Sequence, residues 1–199
     1  KKHISIISTL MKNNIEKIKF RNAISSDSKQ LSDVESEIFF KDKVNTNFDV
    51  EIEKENKKIF VCTYENTLPV KKNFLKEIFS RRNEKKFTQE EVIIGYVKVW
   101  KIMEDMHIEQ IGVLENFQKK GIGEKLLKIS IHHSIQLRVK KIILECRESN
   151  TTAINLYKKY LFNVTSIRKN YYPLDSGRED AICFESPVIT NNEFYNNLN

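Results

Sequence analysis

Apolar positions recur along the chain at two periods, one suited to strands and one to helices. After an irregular leader over residues 1–14, Ile15, Ile18, Phe20 and Ile24 predict a first strand. Ser25-Ser26-Asp27-Ser28 then offers capping side chains ahead of Leu31, Val34, Ile38 and Phe39, which fall on one helix face. A short helix is predicted over Phe48–Glu55 and a strand over Ile59–Tyr64. Residues 65–90 are polar and basic and lack a period, apart from a helical turn through Phe74, Leu75, Ile78 and Phe79. They read as a mobile insertion between two strands. Beyond it the pattern gives a strand Val92–Ile102, a turn at Glu104-Asp105 and a strand Met106–Leu114. A helix Gly121–Val139, a strand Lys141–Cys146 and a helix Asn150–Leu161 follow, and strands Phe162–Asn170 and Ala181–Ser186 close the pattern. Strands interleaved with helices predict a mixed α/β sheet. With 199 residues the chain suits one domain, placed at 15–188, with 189–199 as a tail.

Composition narrows the function classes. At 40% hydrophobic and 31% charged residues the chain is too apolar for disorder. No run approaches the ~20 apolar residues of a bilayer span, so no membrane partner is expected. The net charge of +7 fits either an acidic partner or a lysine-rich solvated surface. Lys71-Lys72, Arg81-Arg82 and Lys85-Lys86 have no interleaved aromatic platform, so direct nucleic-acid binding is not expected. Cys62, Cys146 and Cys183 lack metal-ligand spacing and sit in strand-like runs, which predicts buried free thiols in a reducing, cytoplasmic setting. Sequence upstream of Lys1 leaves organellar targeting open.

Candidate chemistry gathers in the second half. Met106 and Ile108 keep one alternation and Ile111 and Val113 the opposite one, a phase slip at Glu109-Gln110. Either a β-bulge or a shifted strand boundary produces such a slip. Gln118-Lys119-Lys120-Gly121-Ile122-Gly123 precedes Glu124-Lys125-Leu126-Leu127. Glycines at a strand-to-helix turn leave free N–H groups that cradle a pyrophosphate, or they simply make a turn. The motif is neither a Walker loop nor a dinucleotide fingerprint. Glu145 ends the apolar run Ile142-Ile143-Leu144, which reads as a central strand covered on both faces. It is either a general base or a glutamate paired with Arg147. Asn150 stands where it would cap the next helix or bond a ligand amide. Tyr157 lies on that helix's apolar face as a packed aromatic or as a proton donor to a departing thiolate. Lys169-Asn170-Tyr171-Tyr172-Pro173 and Gly177-Arg178-Glu179-Asp180-Ala181 form either a peptide slot or a hairpin with surface aromatics.

In this order, from Ile111-Gly112-Val113 through the glycine loop, Leu144-Glu145-Cys146-Arg147, Ser149-Asn150, Ala153-Ile154 and Leu156-Tyr157 to the Tyr-Tyr-Pro and Gly-Arg-Glu-Asp-Ala segments, the motifs resemble the GNAT superfamily of N-acetyltransferases. They are most similar to its bacterial-type ribosomal-protein alanine N-acetyltransferases. The resemblance covers roughly 108–184.

That resemblance implies an α/β (α+β) fold: a central, mixed, mostly antiparallel sheet splayed between two strands, with helices on both faces. It implies an acyltransferase that moves an acetyl group from acetyl-CoA to an amine, most closely the N-terminal amine of a protein such as a ribosomal protein. Ile111, Gly112 and Val113 would hold the pantetheine arm. Gln118, Lys119, Lys120, Gly121, Ile122, Gly123 and Glu124 would bind the pyrophosphate, and Asn150 would bond the coenzyme. Glu145 would be the general base and Tyr157 the general acid, while Glu109, Tyr171 and Tyr172 would meet the acceptor. No metal and no covalent enzyme intermediate are implied. Lysine or small-amine acetylation and a non-catalytic coenzyme- or nucleic-acid-binding module are the competing functions. The sequence departs from the family at Tyr160-Leu161-Phe162, where a glycine usually precedes the phenylalanine, so the helix is expected to end differently. His107 and Glu145 stand where eukaryotic relatives carry a tyrosine and a histidine; this favours a carboxylate base, with His107 a bystander.

Overall fold

The structure, a computed structural model, describes residues 18–40, 42, 44–69 and 87–189. Its elements are β1 (Ile18–Asn22), α1 (Ser28–Ile38), α2 (Phe48–Glu53), β2 (Lys57–Pro69), β3 (Phe87–Ile102), β4 (Asp105–Val113), α3 (Ile122–Gln136), β5 (Lys141–Arg147), α4 (Thr151–Lys159), β6 (Asn163–Pro173) and β7 (Arg178–Glu185). The strands form one sheet in the order β1-β2-β3-β4-β5-β7-β6. Every neighbouring pair is antiparallel except β4 and β5.

Strand parity assigns the helices to faces. Tyr96 on β3 meets Phe39 and Phe48 edge-on at 6.3 and 5.8 Å, so α1, α2 and the segment joining them lie on its face. Phe60 is paired with Val97, of the opposite parity, and meets His133 of α3 at 5.2 Å. Helix α3 therefore covers the other face, burying Leu126, Leu127 and Ile131. Tyr157 of α4 packs there too, against Phe184. Among the described residues no helix is long and apolar enough to cross a membrane.

Three expectations change. Strand β5 alternates: Ile142, Leu144 and Cys146 are buried, whereas Ile143, Glu145 and Arg147 are half-buried. Only the α3 face of β5 is packed shut, and its other face opens toward a cleft. Residues 65–69 and 87–90 are not part of a loose insertion, because the β2–β3 ladder continues through Pro69↔Phe87. Backbone pairing needs no apolar side chains, so a polar sequence extends the hairpin past the core. Residues 70–86, with the turn expected through Phe74–Phe79, lie outside the described residues, as do the leader, Ile15 and residues 190–199.

The third change is at the end of α4. Leu161 has φ 61, the left-handed conformation a glycine would supply. The Leu161 N–H donates to the Lys158 carbonyl and the Phe162 N–H to the Tyr157 carbonyl, both at 3.0 Å. The helix thus ends as a glycine-terminated one would, with leucine carrying the strain. The hydrophobic contact that accompanies this motif is made by Phe162 and Tyr157, with rings 6.1 Å apart, and not by Leu161. A left-handed leucine costs ~1–2 kcal/mol, and glycine's extra unfolded-state entropy offsets part of the relief. Leu161→Gly should stabilise the protein by about 1 kcal/mol, or about 2–4 °C in thermal denaturation. A lower melting temperature would mean that packing by the leucine outweighs the backbone strain.

Candidate active site

Strand β4 carries the bulge the phase slip suggested. Its ladder with β3 pairs Val99 with Ile108 and Lys98 with Gln110, leaving Glu109 as the extra residue. Its parallel ladder with β5 runs from Asp105↔Lys141 to Ile108↔Leu144 and stops there. Beyond that point β4 stays with β3 up to Gly95↔Val113, while β5 stays with β7 up to Arg147↔Ala181. The two strands part, and their facing edges lose their ladder partners. Peptide groups so exposed need an acceptor or donor from elsewhere. A cleft of about 610 Å³ occupies the opening. Ile38, Phe39, Glu145 and Arg147 line it from the α1 face, and Leu144, Cys146, Asn150 and Tyr157 from the α3 face.

A buried polar network fixes the bulge. Glu35, 2% exposed on α1, accepts from Gln110 Nε2 at 2.9 Å, from the Thr46 N–H at 2.8 Å and from the Tyr96 hydroxyl at 3.4 Å. Burial and the Glu35 charge push the Tyr96 phenol far up, so it stays a donor. One carboxylate thereby ties α1, the segment before α2 and β4 together. Glu109 is held by Lys57 at 3.0 Å and lies 3.8 Å from Lys98. Glu35 was missing from the sequence expectation. Its signal was its place on the helical stripe of Leu31 and Ile38, where a carboxylate is out of character.

Glu145 faces the cleft from the α1 side of the sheet. Its expected partner Arg147 does not pair with it: that guanidinium binds Asp42 and Glu179, donates to the Pro173 carbonyl at 3.1 Å and lies over the Tyr172 ring at 4.6 Å. The cation at Glu145 is Arg168, 3.3 Å away on β6 and largely exposed. Cys183 Sγ lies 4.0 Å from the same carboxylate oxygen. The Tyr171 phenol is pushed up, first by its hydrogen-bonding interaction with Glu145 and then by burial. Tyr171 and Tyr172 meet edge-on at 5.0 Å on the rim of the cleft. A register shift between Arg168 and Tyr172 takes Tyr171 out of the β6–β7 ladder, which resumes at Tyr172↔Glu179, with Asn170 at φ 52 and its N–H donating to Asp180 at 2.9 Å.

Tyr157 approaches from the opposite face. It is 3% exposed, and its hydroxyl takes no hydrogen bond from the described residues. Burial raises its phenol pKa, and the nearby Cys146 and Tyr172 act in the same direction. It is protonated at neutral pH. Glu145 and Tyr157 therefore flank the opening from the two sides of one sheet.

The glycine loop lies at the end of β4. Gly121, φ 77, is the N-cap of α3. Among the described residues, none accepts from the backbone N–H groups of Lys119 to Glu124. A Cβ added to Gly121 would meet nothing within 4 Å, and one on Gly123 only Val113 Cγ2 at 3.9 Å. Open space fronts this row of unpaired donors at a positive helix end, the arrangement that a diphosphate suits. Gln118 has another task, since its Nε2 donates to the Val113 carbonyl at 2.9 Å and staples the loop to β4. Lys120 donates to the Asn116 carbonyl at 3.2 Å, and Lys119 is exposed. The Glu124 carboxylate binds Lys159 and Tyr160, joining α3 to α4. Asn150 caps α4 by accepting from the Ala153 N–H at 3.1 Å, which leaves its amide donor for a ligand. Ile111 lines the cleft. At Gly112 a Cβ would strike Ile38 Cγ2 at 2.6 Å, so glycine lets α1 close on β4.

All three cysteines are free and buried, and burial pushes the Cys62 and Cys146 thiols up to about 12, which makes them poor nucleophiles. Among the described residues no group of three His, Cys, Asp or Glu side chains could hold a metal ion.

Residues 51–161 match the family described as acetyltransferase (GNAT). The [ribosomal protein bS18]-alanine N-acetyltransferase of Escherichia coli (strain K12) is 38% identical over 87 residues, covering 44% of this chain and 59% of that enzyme. The chain thus spans less than two thirds of that relative's length. The crystal structure of the ribosomal-protein-S18-alanine N-acetyltransferase from Escherichia coli superposes with a TM-score of 0.65 at 23% identity, covering 88% of this chain and 97% of that one. Arabidopsis thaliana NAA60 in complex with acetyl-CoA gives 0.63 at 17% identity, covering 84% and 97%. At these identities the structures speak for the fold.

Proposed function

Because the chain belongs to the acetyltransferase (GNAT) family, we propose that it transfers the acetyl group of acetyl-CoA to the N-terminal amine of a protein. The observation that carries this reading is the parting of β4 and β5 beside a helix N-terminus with unpaired N–H groups. A single domain over 15–188 holds the machinery, in a cytoplasmic, reducing setting consistent with its free thiols. The thioester supplies an activated acyl carbon. Backbone groups at Ile111–Val113 hold the pantetheine arm along the free edge of β4, and Lys119–Glu124 receive the diphosphate.

Glu145, directly or through a water, takes a proton from the acceptor's ammonium group, and the freed amine attacks the acetyl carbon. Peptide N–H groups beside the bulge stabilise the charge developing on the acetyl oxygen. As the carbon–sulfur bond breaks, Tyr157 gives its proton to the thiolate and the attacking nitrogen gives up its second proton, which returns through water to the tyrosine, leaving an amide, the free thiol of coenzyme A and the first proton on Glu145. Glu109, Tyr171 and Tyr172 shape the acceptor's entrance, and a ribosomal protein is the acceptor we favour because a relative 38% identical over 87 residues is named a [ribosomal protein bS18]-alanine N-acetyltransferase.

Release of free thiol with short peptides of varied first residue tests the reading. Peptides with an open N-terminus should be turned over and N-terminally blocked ones should not. Turnover of blocked peptides carrying a lysine, or of polyamines alone, would move the acceptor to a side-chain or small amine. Binding of acetyl-CoA with no turnover of any amine would sink the enzyme reading.

A further inference from the structure

A second depression, about 340 Å³, adjoins the cleft on the α1 face of the sheet. Ile108, Glu109, Leu144 and Glu145 line both, so the two are continuous at the candidate base. Helices α1 and α2 pack on β3 and β2 and leave the β4–β5 ladder below the bulge uncovered. The floor there is Trp100, Ile102, His107 and Ile143, all half-buried. Trp100 is paired with His107, which is paired in turn with Ile143, so these side chains make one row across three strands.

The charges at the rim are already matched. Glu109 is bound by Lys57, and Glu145 faces Arg168. A charged side chain entering the groove would find no unpaired charge to reward its desolvation, whereas an apolar one would cover the floor. Glu145 and Ile143 are two residues apart on one strand, ~7 Å at the usual rise. An acceptor whose amine sits at Glu145 brings its second side chain over Ile143 in one extended residue.

Resting on the reading of Glu145 as the base, we infer that this groove is an acceptor subsite that selects a large apolar side chain at the second residue of the substrate. The first residue is then sensed in the cleft beneath Tyr171 and Tyr172, and the second by the sheet itself.

The test is a peptide series with the first residue fixed at whichever one gives the fastest thiol release, and the second varied through Leu, Phe, Ser, Asp and Lys. Leu and Phe should exceed the polar residues by about tenfold or more in kcat/KM, the range for burying one such side chain. Ile143→Ser should erase that advantage by raising KM for the Leu and Phe peptides while leaving the acetyl-CoA Kd unchanged. Ile102→Ser provides the same comparison at the far end of the floor. A flat second-position profile in the native protein overturns the groove and leaves N-terminal acetylation standing. A preference undiminished in both variants also overturns it. If no peptide is turned over while acetyl-CoA still binds, the acceptor reading fails and the groove falls with it.

Discussion

Glu145→Gln should slow turnover by ~10²–10⁴, the range for losing a general base, with acetyl-CoA affinity unchanged. Glutamine keeps the size of the side chain but has no basic oxygen to accept the ammonium proton. The fold should tolerate the change, because the ion pair it removes is with Arg168, whose side chain is 56% exposed. Such pairs contribute ~1 kcal/mol or less. Coenzyme affinity should hold because the proposed diphosphate site is at the start of α3, while Glu145 faces the α1 side. Steady-state kinetics paired with calorimetric titration of acetyl-CoA separates the two quantities. An unaltered rate would remove Glu145 from the mechanism.

The local signals that survived folding were those with a backbone cause. The alternation change at Glu109-Gln110 is the bulge because inserting one residue moves every later side chain to the other face. The glycine loop forms the expected strand-to-helix turn because the left-handed N-cap at Gly121 favours glycine. Long-range pairing was not legible. Arg147 is two residues along β5 from Glu145 and shares its face of the sheet, yet the two do not pair. Its guanidinium lies with Asp42, Glu179 and Tyr172, and the partner of Glu145 comes from β6, a strand away beyond β7. Glu35 was hidden for the same reason, since its donors Gln110, Thr46 and Tyr96 come from three other segments. The left-handed end of α4 was misjudged because the residue was read and the geometry was not. Two chain-reversing hydrogen bonds and the Phe162–Tyr157 contact impose it even on leucine.

These misreadings converge on one division of labour. The α3 face of β5 is sealed by Leu144, Cys146 and Tyr157, while its α1 face stays open around Ile143 and Glu145. A proton donor buried from one side and a carboxylate reached from the other can serve the two ends of one acyl transfer without neutralising each other. The Arg147 cluster holds the segment at Asp42 against the β6–β7 hairpin, so it builds the entrance, and the ion pair of the proposed base is made by Arg168 instead.

Coenzyme binding, in turn, should be lost in Gly123→Leu without loss of stability. Gly123 is within the first turn of α3, where leucine is at least as good a helix former as glycine. The side chain would start 3.9 Å from Val113 Cγ2 and extend into the open space before the unpaired N–H groups. A charge-assisted hydrogen bond to a phosphate is worth ~1.5–3 kcal/mol. Displacing two of them should weaken acetyl-CoA binding by at least ~10², with the melting temperature of the free protein unchanged or slightly raised. Gly121→Leu would be a poorer probe, because its φ of 77 adds backbone strain to the obstruction. Gly123→Ala, adding only a methyl group, should give an intermediate loss. Calorimetric titration of the folded Gly123→Leu variant decides the matter: native affinity there would mean that the diphosphate is held somewhere other than the start of α3.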